Sequence, residues 1–139
     1  MKPKRVDHIA VAVRDLEAAL GFFRDRLGLD VGQVATVEED RVRVAFLPVG
    51  DTCLELLEPL DGEGPVARFL ERRGEGLHHI CLEVEDIGAA LAELGAAGVE
   101  LIDRVPRPGA EGLVAFIHPK NTHGVLLELV QKPGEVTGP

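Results

Sequence analysis

Two glutamates sit where charge is costly. Cys53-Leu54-Glu55-Leu56-Leu57 and Leu126-Leu127-Glu128-Leu129-Val130 are apolar runs, each interrupted by one carboxylate with no Lys or Arg beside it. An ionised carboxylate in such a run is unfavourable unless it is paired or bound to a metal. Two histidines offer a reason for both. His8 precedes Glu55 by 47 residues, and His79 precedes Glu128 by 49. Two imidazoles and two carboxylates make a mixed nitrogen and oxygen donor set that suits cobalt, nickel, manganese, iron(II) or zinc, with water completing the shell. The lack of thiolate argues against a structural zinc site. A lone strand histidine is more often a hydrogen-bonded core residue than a ligand, so the case rests on matched recurrence.

That recurrence is an internal repeat. Asp7-His8-Ile9-Ala10 through Leu20 overlays His78-His79-Ile80-Cys81 through Leu91 at an offset of 71 residues. His8 then meets His79, Val13 meets Val84, Asp15 meets Asp86, and Ala18-Ala19-Leu20 meets Ala89-Ala90-Leu91. Val44-Ala45-Phe46-Leu47 matches Val114-Ala115-Phe116-Ile117, and Leu54-Glu55-Leu56 matches Leu127-Glu128-Leu129. Each copy donates one His near its start and one Glu near its end.

The elements that must position these residues follow from periodicity. Val6 to Val13 alternates, with Ile9, Val11 and Val13 on one face and His8, Ala10 and Ala12 on the other. Asp15 suits a helix N-cap, and Leu16, Leu20, Phe23 and Leu27 recur at helical spacing up to Gly28, so a helix covers the bulky face and leaves His8 on the opposite side. Asp86 opens the second helix, with Ile87, Ala90, Leu91 and Leu94 as its stripe and Gly98 beyond its end. Strands are predicted near Val31 to Thr36, Val42 to Leu47 and Cys53 to Leu57, then Glu100 to Asp103, Leu113 to Ile117 and Val125 to Val130. Each module therefore reads βαβββ, an α+β arrangement within one domain: module one spans about residues 4–60 and module two about 76–132. Pro65 to Arg73 is predicted as a short helix linking them, with Pro65 at a helical first position. Period two puts Glu55 with Cys53 and Leu57, and Glu128 with Leu126 and Val130. His78 has opposite parity to His79 and receives no ligand role.

Bulk properties narrow the function. A net charge of −9, with five Phe as the sole aromatic side chains, is unsuited to a broad nucleic-acid surface. No run is long and apolar enough to span a bilayer, and the start MKPKRV lacks a secretory pattern, so a cytoplasmic protein is expected. Cys53 and Cys81 fit no zinc or disulfide spacing and read as reduced core thiols. The acidic run Glu38-Glu39-Asp40 reads as a solvated loop, and Lys132 to Pro139 as a frayed end.

Paired βαβββ modules donating His and Glu to one ion resemble the vicinal-oxygen-chelate superfamily. Asp7-His8-Ile9-Ala10, Leu56-Leu57-Glu58-Pro59-Leu60, Gly74-Glu75-Gly76-Leu77-His78-His79-Ile80, His118-Pro119-Lys120-Asn121 and Gly124-Val125-Leu126-Leu127-Glu128-Leu129 are together similar to methylmalonyl-CoA epimerases, and the likeness covers nearly the whole chain. The resemblance implies an open, eight-stranded barrel-like sheet around the ion, a homodimer, cobalt(II) as a favoured metal and an acyl-CoA substrate. It also implies that Glu128 acts as a proton-transferring base as well as a ligand. The position of a second base in such enzymes falls at Arg43. An Arg is a poor base, but it can hold a substrate carboxylate, and its parity with Ala45 is read here as facing the site. Glu38, Glu39, Glu83 and a metal-bound water are the remaining candidates for the second carrier. His118 and Lys120, in the lengthened loop of the second copy, are candidate substrate contacts, with an ordinary polar turn as the alternative. The rival functions are a glyoxalase I, a dioxygenase and a metal-free binding protein of the same fold. The fourth ligand disfavours the dioxygenase, and retention of all four ligands disfavours the binding protein.

Overall fold

The computed structural model describes residues 1–134. In chain order its elements are β1 (Arg5–Ala12), α1 (Leu16–Phe23), β2 (Gln33–Val37), β3 (Val42–Val49), β4 (Thr52–Pro59), α2 (Pro65–Arg73), β5 (Gly76–Glu83), α3 (Ile87–Ala96), β6 (Arg107–Pro108), β7 (Leu113–Ile117) and β8 (Leu127–Gln131). The strands hydrogen-bond in the order β2-β3-β4-β1-β5-β8-β7-β6. The α+β class and the eight strands are as expected from the alternating runs. No helix among the described residues is long and apolar enough to cross a membrane.

The chain divides into two compact units, His8–His79 and Met1–Asp7 with Ile80 onward. Within the first, β1 runs parallel to β4 and β3 antiparallel to it. The register fixes two faces. His8, Ala10, Ala12, Glu55, Leu57, Val42, Val44 and Phe46 share one face, because Ala10 pairs with Glu55 and Phe46 pairs with Glu55 from the other side. Val11, Leu54, Leu56, Ala45 and Leu47 share the other, where Leu16 and Leu20 of α1 pack on them. Asp15 caps α1 by accepting from the Ala18 N–H at 3.1 Å, as its sequence position suggests. The linking helix α2 lies on the His8 side, its buried Val66 and Leu70 clustered with Ala10, Ala12, Val42, Val44 and Leu57.

The second unit repeats the plan. In it β5 runs parallel to β8 with Cys81 opposite Glu128, and β7 runs antiparallel with Phe116 opposite Glu128. Cys81 occupies in this copy the place of Ala10 in the first. Ile87, Ala90 and Leu91 of α3 pack on Ala115, Ile117 and Leu129, the face opposite Glu128. Asp86 caps α3 through the Ala89 N–H at 3.0 Å. Neither cysteine is in a disulfide; Cys81 is buried and Cys53 half-buried.

Three local expectations need correction. The helix predicted to reach Leu27 ends at Phe23, and Leu27 is exposed, because the chain turns through Arg26 and Gly28 before β2. The strand predicted over Glu100 to Asp103 is reduced to a single bridge from Leu101 to Ile117. A two-residue strand at Arg107–Pro108 pairs with β7 instead, and Pro106 and Pro108 lack the N–H groups a longer ladder would need. Lys132, read as the start of a frayed end, is pinned by its ammonium 2.6 Å from Asp7 Oδ1; the rest of that reading, from Glu135, lies outside the described residues.

Lys132 belongs to a charge network in the second unit. Arg5 Nε donates to Glu83 Oε1 at 2.9 Å, Lys4 Nζ stands 3.5 Å from Glu83 Oε2, and Arg5 also reaches Asp7 at 3.1 Å. Burial pushes the Glu83 carboxyl upward, but the Arg5 hydrogen bond and the charges of Lys4, Lys132 and Arg5 outweigh it and hold the group below its ordinary range. A carboxyl with a lower pKa in the folded state stabilises the fold above its unfolded pKa, and that contribution is lost as pH falls through the folded value. Glu83→Gln is therefore expected to cost about 1.5–3 kcal/mol at neutral pH, the worth of a charge-assisted hydrogen bond. Urea unfolding across pH checks it: the curves of wild type and variant should converge in acid, and a constant gap at every pH would rule out this linkage.

Candidate metal centre

The first unit brings three of the four predicted donors together. His8 comes from β1, Glu55 from β4 and His79 from the end of the unit in β5, and all three are buried. The parallel register that sets Ala10 opposite Glu55 also sets His8 two residues earlier on the same face. Ala10 and Ala12 are fully buried and small, so that face carries little bulk along β1. His8 Nε2 and His79 Nε2 stand 3.1 Å apart, and His8 Nδ1 lies 3.2 Å from Glu55 Oε2. Their rings are nearly perpendicular, at 80°, with centroids 5.2 Å apart.

Proton bookkeeping shows what this arrangement can hold. Two Nε2 atoms facing each other share at most one proton if both rings are neutral. A divalent ion would take the place of that proton. The 3.1 Å between the two Nε2 atoms is a spacing that one divalent ion could bridge with metal–imidazole bonds of ordinary length, about 2.0–2.1 Å. Glu55 on His8 Nδ1 matches the carboxylate that commonly orients a ligating imidazole. The donors are hard or borderline and include no thiolate, so the residues fit a catalytic divalent ion better than a structural zinc.

Glu128 is buried in β8, flanked by the apolar Leu127 and Leu129, with Phe116 and Cys81 as its cross-strand partners. Its place in the second unit is that of Glu55 in the first, where Ala10 and Phe46 are the partners. Each half thus presents its glutamate in one register, next to a strand that carries the histidine two residues before the partner position.

Arg43 does not join this face. The β3–β4 register pairs it with Glu58, and its Nε lies 3.3 Å from Glu58 Oε1 on the α1 side, where Glu58 also accepts from the Leu16 N–H at 2.7 Å. Its parity with Ala45 was correct, but Ala45 packs under α1. On the Glu55 side β3 presents Val42, Val44, Phe46 and Pro48, none of which can carry a proton. Glu38 and Glu39 are exposed in the turn between β2 and β3. Glu83 stays held by Arg5. The loop of His118 and Lys120 is a satisfied turn: His118 Nδ1 accepts from the Lys120 N–H at 3.1 Å, Lys120 Nζ lies 3.5 Å from Glu100, and Asn121 donates to the Glu100 and His118 carbonyls.

Two residues at the site escaped the sequence reading. His78 Nδ1 lies 2.8 Å from His79 Nδ1, and the His78 ring meets Phe69 of α2 edge to face at 4.9 Å. His78 thereby orients the ring nitrogen of His79 that faces away from His8. The adjacent His-His pair was the available signal, but opposite parity hid the contact, because neighbouring strand residues ordinarily diverge.

Comparison with known proteins agrees with this architecture. The profile of the glyoxalase/bleomycin resistance protein/dioxygenase superfamily matches residues 7–116. The chain is 45% identical to the ethylmalonyl-CoA/methylmalonyl-CoA epimerase of Cereibacter sphaeroides, over 91% of this chain and 97% of that one. It is 43% identical to the mitochondrial methylmalonyl-CoA epimerase of Mus musculus, over 91% of this chain and 72% of the relative. A variant of Streptomyces coelicolor methylmalonyl-CoA epimerase, solved with 2-nitronate-propionyl-CoA, superposes with a TM-score of 0.87 at 37% identity, covering 96% of this chain and 100% of that one.

Proposed function

The chain belongs to the glyoxalase/bleomycin resistance protein/dioxygenase superfamily and to the methylmalonyl-CoA epimerases within it, and we propose that it inverts methylmalonyl-CoA at C2 by proton removal and return. The observation that carries the reaction class is the buried pair of Nε2 atoms 3.1 Å apart, on a sheet whose two halves offer a glutamate in equivalent register. C2 of this substrate lies between a thioester and a carboxylate, so loss of its proton places negative charge on the thioester oxygen. A divalent ion, which His8, Glu55, His79 and Glu128 would hold, would supply positive charge to that oxygen, an effect worth several kcal/mol in order of magnitude. Cobalt(II) is our assignment, with Mn2+, Ni2+ and Zn2+ compatible with the same donors.

The protein groups divide the remaining work. His8 and His79 are held in place by Glu55 and His78 at their Nδ1 atoms. Glu128 takes the C2 proton on a carboxylate oxygen, for which it must come within hydrogen-bond reach of C2. Phe46 and Phe116, each in register with one of the two glutamates, put apolar side chains on that face; inversion also needs a proton delivered to the opposite face of C2, and water is the carrier these strands leave for it. The working form is a homodimer in this reading, which light scattering can check.

The discriminating assay uses cobalt-loaded protein with methylmalonyl-CoA and, separately, with the hemithioacetal of methylglyoxal and glutathione. Turnover of the acyl-CoA is expected to be the faster by at least about 100-fold in kcat/KM, because a site built around one substrate leaves polar groups unmatched by the other. Activity on the hemithioacetal alone would replace this reading with a glyoxalase.

A further inference from the structure

The chain is acidic overall, with a net charge of −9, and many of its cations are paired: Arg5, Arg24, Arg41, Arg43, Arg107, Lys4, Lys120 and Lys132 all lie within ion-pair distance of carboxylates. Helix α2 departs from this pattern. Its Arg68, Arg72 and Arg73 are exposed, and none lies within ion-pair distance of a carboxylate among the described residues. Arg68 and Arg72 are one helical turn apart, and the Arg73 guanidinium stands over the Phe69 ring at 6.0 Å. A fourth guanidinium, that of Arg14, reaches the Leu70 carbonyl at 3.4 Å near the end of the same helix. Cations in a last helical turn favour the helix dipole, which accounts for Arg72 and Arg73 locally but not for Arg68, a turn earlier.

What gives the cluster a direction is where α2 sits. The helix packs on the sheet face that carries His8 and Glu55, not on the α1 face. Its Phe69 touches His78, and His78 touches His79. A continuous line of contacts therefore joins the Arg73 guanidinium to the histidine pair within one unit. A ligand whose reacting end lies at His8 and His79 and whose other end is polyanionic would meet the Arg73 guanidinium along this line, with Arg68 and Arg72 exposed on the outer side of the same helix. Guanidinium binds phosphate through paired N–H groups, which suits a diphosphate or a phosphomonoester.

We propose that Arg68, Arg72 and Arg73 form the anchoring site for the phosphate groups of the coenzyme A portion of the substrate, with α2 as one wall of the active site. The proposal rests on the acyl-CoA reading of the substrate given above. It assigns the phosphates to the linking helix rather than to the His118–Lys120 turn, whose lysine is already paired with Glu100.

The test measures binding of coenzyme A and of pantetheine, which lacks the phosphates, to the cobalt-loaded protein by calorimetry, and compares the Arg68→Gln/Arg72→Gln/Arg73→Gln protein with wild type. Coenzyme A affinity of the wild type should fall as salt rises, and the triple variant should bind it about tenfold more weakly with a shallower salt dependence, the scale of a few exposed ion pairs. Pantetheine should bind both proteins alike. Arg26→Gln, a charge change beyond the end of α1, should leave coenzyme A binding unaltered. The single variant Arg73→Gln, with helix content followed by circular dichroism, covers the case in which the triple variant fails to fold, and should lose about two- to threefold. Equal coenzyme A affinity in wild type and variants, an equal loss for pantetheine, or no coenzyme A binding by the wild type would each overturn the site. If coenzyme A binds as described but methylmalonyl-CoA is not epimerised, the anchoring site stands and the assigned reaction fails. Epimerisation with an unchanged KM in the triple variant is the converse.

Discussion

Replacing both His8 and His79 by Ala should leave a folded protein that retains no tightly bound divalent ion and epimerises methylmalonyl-CoA at least about 1,000-fold more slowly. The rate loss follows from removing several kcal/mol of charge stabilisation, at 1.36 kcal/mol per factor of ten. The fold should survive because neither ring belongs to the apolar clusters that join α1, α2 and α3 to the sheet. Removal of the two rings also deletes both members of the 3.1 Å Nε2 pair at once, so no half-satisfied imidazole remains buried between them. Each single variant is the harsher test of structure and the weaker test of function, since one surviving imidazole still offers a nitrogen to the ion. Elemental analysis after dialysis, alongside circular dichroism, separates the outcomes: a folded double variant with a full complement of metal would remove the histidines from the site.

Much of this centre was legible because two independent periodicities coincide. Period two assigns a face to each strand residue, and the repeat at 71 residues assigns an equivalent to each position in the other copy. Ala10 with Glu55 and Cys81 with Glu128 then emerge in identical register, although no single strand could reveal that. Arg43 marks the limit of the method. Its parity was readable, but which face of β3 joins Glu55 depends on cross-strand register, set by the turn at Gly50 and Asp51 rather than by alternation. The same limit hid the pairing of Lys120 with Glu100, which are 20 residues apart in a stretch without a regular period. The strand expected at Glu100 to Asp103 failed for a different reason. Ile102 and Asp103 both direct their N–H groups to the single Phe116 carbonyl, a pattern that closes a turn and cannot propagate a ladder.

Glu128→Gln should separate binding from proton transfer more cleanly than any other single change. The amide oxygen can still meet the ion, but the side chain cannot accept a proton near neutral pH. Metal content should therefore remain largely intact while epimerisation falls by about 10²–10⁴, the usual contribution of a positioned base. Glu55→Gln is the internal control, because its assigned duties, holding His8 at Nδ1 and donating an oxygen, are both open to an amide carbonyl. It should slow turnover far less. Exchange of the C2 proton with deuterated solvent adds direction to the test. With Val42, Val44, Phe46 and Pro48 lining β3 beside Glu55, and Glu83 tied to Arg5 and Lys4, these strands offer no second base. One epimer should then exchange much faster than the other in the wild type, and Glu128→Gln should suppress the faster reaction. Equal and rapid exchange from both epimers would reveal a second proton carrier, whereas near-normal exchange in Glu128→Gln would deny Glu128 its role as the base.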